Sequence, residues 1–208
     1  MEIFKKTMIE NEEKFKDLTY ICKKGNIPVI ITAAHTMVQL KKDGQYKENE
    51  PFTKAMCIYI SENTNCFYLI KNKDTGIDSN NSLNDTFKNM LLDIIKDNNI
   101  KLVIDIHGAK EDRNFDIELG TLNNLSSDYS TIKELIDSFE ENGINNIEIN
   151  NPFKGGSITQ KVFSETSCDV IQLEINAKYR NILNADKMKQ VCDSLSKFVK
   201  QYSCIIDK

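Results

Sequence analysis

The chain has 208 residues, 40% of them apolar and 28% charged, a make-up that suits a globular domain able to bury a core without disulfides or a structural metal. A formal net charge of −4, with basic clusters no larger than pairs such as Lys5-Lys6 and Lys41-Lys42, gives no electrostatic reason to expect nucleic acid or an anionic membrane as partner. No apolar run approaches the ~20 residues of a membrane span.

In chain order, MEIFKKTMIENEEKFKD is too charged for a signal peptide. LTYICKKGN reads as a strand joined by a tight turn at Lys24-Gly25-Asn26 to IPVIITAAH, residues 27–35, a short β-branched run that fits a buried strand. TMVQLKKDGQYKENE reads as a loop with a turn signal at Asp43-Gly44. Pro51 then opens an amphipathic helix. CFYLIK, 66–71, is a strand, DTGIDSNNSLND a polar loop, and DTFKNMLLDIIKDNN a helix with Phe87, Met90, Leu91, Ile94 and Ile95 on one side.

IKLVIDIH, 100–107, is a second buried strand and FDIELG, 115–120, a shorter one. SSDYSTIKELIDSFEENG is a helix ended by Gly143, and INNIEIN a strand. NPFKGGSITQKVF carries a Gly pair and then reads as a strand. DVIQLEIN, 169–176, is the third buried strand, and NADKMKQVCDSLSKFVKQY a closing amphipathic helix. This alternation points to an α/β fold, a mixed, mostly parallel central sheet flanked by helices, with residues 1–208 as one domain. The six cysteines form no CxxC and read as free thiols in a reducing cytoplasm.

Three of these strands finish in chemistry: at His35, at Asp105-x-His107 and at Glu174-x-Asn176. Open α/β sheets bind ligands at the carboxyl ends of their strands. His35 and His107 are the chain's two histidines. Neutral imidazole is a zinc ligand, and a catalytic zinc commonly takes two His and a carboxylate. Glu50, at the boundary of loop and helix, is the first candidate for the carboxylate and Glu48 the second. A plainer use for Glu50 is to complement the helix dipole. Asp105 suits the second hydrogen bond of a ligating histidine. Glu174, in an apolar strand, suits a general base with a burial-raised pKa. Its plainer alternative is an ion pair with Arg180 or a lysine.

Arg113 and Arg180 are the chain's two arginines, against 25 lysines. A planar guanidinium grips a carboxylate or an oxyanion with two hydrogen bonds. Arg113 reads as a group for substrate or oxyanion and Arg180 as a second substrate-binding group. A surface ion pair of Arg113 with Asp112, Asp116 or Glu118 is the competing reading. Gly155-Gly156 lets backbone approach a ligand closely or simply forms a turn. The GxSxG, GxGxxG and GxxxxGK[ST] patterns are absent, which leaves serine-hydrolase and nucleotide chemistry without support.

Taken together, the strand ending in His35, the DIHG…R…DIELGT block, NPFKGGSIT and QLEIN…YR resemble the N-formylglutamate amidohydrolase family, over about residues 28–182. The resemblance implies a zinc carboxypeptidase-like (phosphorylase/hydrolase-like) fold and a zinc-dependent amidohydrolase acting on a small N-acyl amino acid or related peptide-like substrate. By position it implies His35, Glu50 and His107 as metal ligands, Glu174 as general base and Arg113 as the substrate or oxyanion group. The chain has Ala33-Ala34-His35 where the family typically has Ser-Pro-His. A non-catalytic protein of the same fold that binds a small carboxylate is the alternative.

Overall fold

The three strongly apolar runs become three adjacent strands. The structure, a computed structural model, describes residues 1–40, 44–82 and 85–206, and the side chains of those up to 202. Lys41, Lys42 and Asp43 of the expected turn, and Leu83 and Asn84 of the polar loop, lie outside the described residues. The central sheet contains β1 (Tyr20–Lys23), β2 (Ile27–Ala33), β5 (Cys66–Lys71), β6 (Leu102–Ala109), β7 (Ile117–Gly120), β8 (Ile147–Ile149) and β9 (Asp169–Asn176). Its order is β1-β5-β2-β6-β9-β7-β8. The β5–β2, β2–β6, β6–β9 and β7–β8 pairs are parallel, while β1–β5 and β7–β9 are antiparallel. The expected mixed, mostly parallel sheet is therefore present.

Helices cover both faces, which is why the central strands are apolar without alternation. Val29, Ile31 and Ala33 of β2 pack into one layer with α1 (Glu2–Glu13), α2 (Thr53–Thr64), α4 (Tyr129–Glu140) and α6 (Ala185–Ile206). Ile30 of β2 and Val103 of β6 face the other layer, with α3 (Thr86–Asp97) and α5 (Ser157–Glu165). The Asp85 side chain caps α3 by accepting from the Lys88 N–H. Among the described residues, no helix is long and apolar enough to cross a membrane.

Three local readings change. The β1–β2 hairpin does not form: β5 lies between the two strands. The link at residues 24–26 does reverse the chain, but it spans two strand spacings, about 9.6 Å, within reach of three extended residues. The Asn26 N–H donates to the Asn65 carbonyl just before β5 begins. Secondly, the loop after His35 contains a small hairpin, β3 (Gln39–Leu40) with β4 (Tyr46–Lys47). Thirdly, the strand expected after the Gly pair is helix α5, with Ile158, Thr159 and Val162 buried. The spacing of Ile158 and Val162 is one helical turn, and this outweighs the β-branched composition that suggested a strand.

Candidate metal centre and pocket

Because β2, β6 and β9 are parallel neighbours, their carboxyl ends share one edge of the sheet. His35 follows β2, His107 lies near the end of β6, and Glu174 pairs in register with His107 across β6 and β9. Glu50 arrives from the segment 36–49, which is closed at its base: the Glu50 N–H donates to the His35 carbonyl at 2.8 Å. Residues fifteen apart in sequence thus stand side by side. Just beyond, Glu12 of α1 accepts from the Phe52 and Ala55 N–H groups, both at 3.1 Å, and fixes the start of α2. Glu48 is exposed, whereas Glu50 is buried and faces both histidines.

The donor geometry follows from the second nitrogen of each ring. His107 Nε2 lies 2.9 Å from Asp105 Oδ2, and Asp105 Oδ1 accepts from the Thr32 hydroxyl at 2.5 Å. His35 Nε2 lies 2.8 Å from Asp78 Oδ1. A carboxylate only accepts, so Asp105 and Asp78 favour a proton on each Nε2, and a neutral ring so protonated presents its lone pair at Nδ1. Those Nδ1 atoms are 3.1 Å apart. Glu50 Oε1 is 3.0 Å from His35 Nδ1, and Oε2 is 3.5 Å from His107 Nδ1. These three side chains form the group of ligand atoms that lie within 4.8 Å of one another.

Two lone pairs and a carboxylate at such separations repel unless a cation sits among them. Ligands about 2.0–2.1 Å from a tetrahedral zinc stand roughly 3.3 Å from each other, so the donors present fit that ion. A positive group is in fact drawn towards them: Lys47 Nζ of β4 is 2.7 Å from His35 Nδ1 and 3.5 Å from Glu50 Oε1. Protons on the rings are the other positive charge that such a cluster can hold. Burial pushes the Glu50 carboxyl up, but the two imidazoles outweigh it and hold the group well below its ordinary range. Burial opposes charge on His107, yet Asp105 and Glu50 raise its pKa well above the usual value. The arrangement suggests a metal.

Beside these donors opens a cavity of about 440 Å³, lined by Glu50, His107 and Glu174 on its inner side. Lys47, Lys110, Arg113, Lys154, Gly155 and Gly156 are among its other walls. Glu174 is buried, its pKa is raised chiefly by burial, and its Oε1 accepts from Gln172 Nε2 at 2.9 Å. It does not pair with Arg180. Arg113 is exposed at the rim, its guanidinium 5.1 Å from the centre of the Phe153 ring. The ion pairs suggested for it are not made: Asp116 pairs with Lys178, and Glu118 accepts from the Phe153 N–H. Gly155, at φ +110°, takes a backbone conformation that favours glycine, and the neighbouring Gly156 N–H donates to Gln172 Oε1 at 2.6 Å.

Arg180 stands elsewhere. It is buried, does not line the cavity, and gives its N–H groups to the carbonyls of Ile175, Pro51 and Ala109. A fork already spent on three carbonyls has little left for a substrate carboxylate, which corrects the substrate-binding role expected for it. Sequence reasoning also passed over Lys47 and Asp78. Both lie in polar segments read as loops, and nothing in their spacing separates them from neighbouring Lys and Asp residues.

The fold is of the α/β class, a mixed, mostly parallel sheet flanked by helices, with carboxylates, imidazoles and a cleft at its carboxyl edge. Among solved structures, the fold is shared with an N-formylglutamate amidohydrolase from Ralstonia eutropha JMP134, at TM-score 0.72 and 10% identity over 91% of this chain and 98% of that one. It is shared with a bacteriophage poly-gamma-glutamate hydrolase, at TM-score 0.59 and 15% identity over 96% and 94% of the two chains. A metallo-carboxypeptidase from Burkholderia cenocepacia superposes at TM-score 0.51 and 12% identity, over 89% of this chain and 61% of its own. No curated protein matches the chain in sequence. Residues 84–179, which include the DIHG–DIELGT block, match the N-formylglutamate amidohydrolase family model. The family supports a hydrolase with a small-molecule substrate.

Proposed function

We propose that this chain is a metal-dependent amidohydrolase, with zinc as the metal, that cleaves the amide bond of a small N-acyl amino acid or a related peptide-like compound. The observation that carries this reading is the convergence of His35 Nδ1, His107 Nδ1 and the Glu50 carboxylate beside a cavity that also holds Glu174. A zinc ion held by these three residues supplies a Lewis acid that polarises the amide carbonyl and acidifies water.

The chain's own groups do the rest. Asp78 and Asp105 keep both rings in the tautomer that exposes Nδ1. Glu174 Oε2 takes a proton from the attacking water and returns it to the leaving nitrogen, so that water and amide become a carboxylic acid and an amine. Gln172 fixes the Glu174 carboxyl by holding Oε1. Arg113, raised over Phe153 at the cavity rim, pairs with a substrate carboxylate or with the developing oxyanion. Lys47, Lys110 and Lys154 add positive charge around the cavity and favour an acidic substrate.

Metal analysis of the purified full chain, followed by a screen of N-acyl amino acids and short peptides with zinc-, cobalt- and manganese-loaded protein, tests the proposal. Bound zinc with release of a free amine is the expected result. A protein that neither retains nor responds to any of these metals would not fit it.

A further inference from the structure

The two arginines were equally conspicuous in the sequence, and one of them does something the proposed chemistry does not use. Arg180 follows β9 and a short 3₁₀ turn (Ala177–Tyr179) and is buried. Its Nε donates to the Ile175 carbonyl at 3.0 Å, its Nη1 to Pro51 at 2.9 Å and its Nη2 to Ala109 at 3.1 Å. Ile175 is the residue after Glu174, Pro51 is the residue after Glu50, and Ala109 is two residues after His107. One rigid, planar cation therefore holds together the three backbone segments that bear the candidate base and two of the three candidate ligands.

Gly108 makes the coupling tighter. A Cβ built there would fall 2.3 Å from the guanidinium carbon, so only glycine lets the backbone approach the fork this closely. The N–H of that same glycine donates to Glu50 Oε2 at 3.0 Å. Displacing the guanidinium thus frees the backbone that aims Glu50 and the strand end that carries His107.

We infer that Arg180 is a positioning residue that sets the relative placement of Glu50, His107 and Glu174 through these three carbonyls, without touching substrate. The inference rests on the metal-site reading above. Lysine cannot replace arginine here, because a single ammonium cannot span three carbonyls in the geometry of the fork.

The test is a cobalt titration of the full chain, followed by visible absorbance, on the parent, R180K and R180M. The cobalt bands report ligand geometry directly, and zinc competition gives affinity. Both variants should bind metal about 10–100-fold more weakly, as is usual when the support of a ligand is lost. The cobalt spectrum should change, and kcat should fall with little change in KM. Millimolar methylguanidinium should partly restore the spectrum of R180M. Parent-like cobalt affinity and spectrum in a folded variant overturn the inference while leaving the metal site standing. If R180M fails to fold, the same two measurements on R180K decide the matter. A parent that binds neither metal overturns the metal-site reading, and this inference with it.

Discussion

The inner and outer walls of the cavity are built on different principles. The inner wall, Glu50, His107 and Glu174, together with His35 that pairs with Glu50, is buried, and each side chain has a specified protein partner. The outer wall is made of the segments around 110–113 and 152–156 and displays long cationic side chains towards solvent. Fixed, desolvated groups at strand ends suit a reaction that tolerates little misplacement. Exposed Lys and Arg suit attraction and selection of an anion, where reach matters more than rigidity. Function should accordingly divide along the cavity: turnover and metal retention inside, substrate affinity outside.

The hardest way to break that division is at Glu174. E174Q should lower kcat by about 10²–10⁴ with zinc content unchanged. Single-turnover assays and metal analysis on the same sample check both halves, and full activity would remove Glu174 from the mechanism. Next come the donors. H35A and H107A should each weaken zinc retention by more than about 100-fold, since loss of a mere supporting contact costs 10–100-fold. Dialysis against a graded chelator reads this. At the rim, R113A should raise KM by roughly 10–100-fold, the worth of a charge-assisted hydrogen bond, with a smaller change in kcat. R113K should recover only part of it.

Smallest is a change where the walls meet. Glu118 is buried on β7, in register with Glu174 on β9, and holds the Phe153 N–H of the outer wall. Its Oε2 is buried with no hydrogen-bond partner among the described residues. Burial, with the Glu174 charge adding to it, pushes its pKa up to about 7 from an ordinary 4.5. Between those values the folded protein keeps a proton that the unfolded chain has lost, so this group's contribution to stability falls as pH rises through that window. E118Q removes the loss. It should stabilise the protein by roughly 1–2 kcal/mol at pH 8 and by little at pH 4.5, less than the full shift would give at about 1.36 kcal/mol per unit. Urea melts at the two pH values measure it. Equal effects at both would place the cost of Glu118 in packing rather than charge.

Much of this was legible because polar residues interrupt long apolar runs in only a few places. His35, Asp105, His107 and Glu174 end or interrupt strands that are otherwise buried on both faces, and an unpaired polar group there is costly. Their presence demands a use. Glu50 was harder, since an acid before a helix has an ordinary electrostatic role; the His35–Glu50 backbone bond distinguishes it from Glu48. In helix α5, β-branched residues mask an i,i+4 pair of buried apolar side chains. A short reversal such as that at 24–26 does not say whether another strand lies between the two it joins.

By itself, then, the sequence determined the strand-and-helix alternation, the family resemblance and the residues that needed chemical partners. These depend on hydrophobic period and on the cost of burying polar groups, both local properties of the chain. Only the tertiary structure decided that β5 separates β1 from β2, that Asp78 serves His35 while Asp105 serves His107, and that one arginine faces the cavity while the other binds backbone. Each of those depends on contacts between segments tens of residues apart, and a guanidinium has the same composition and charge whether it meets a ligand or three carbonyls.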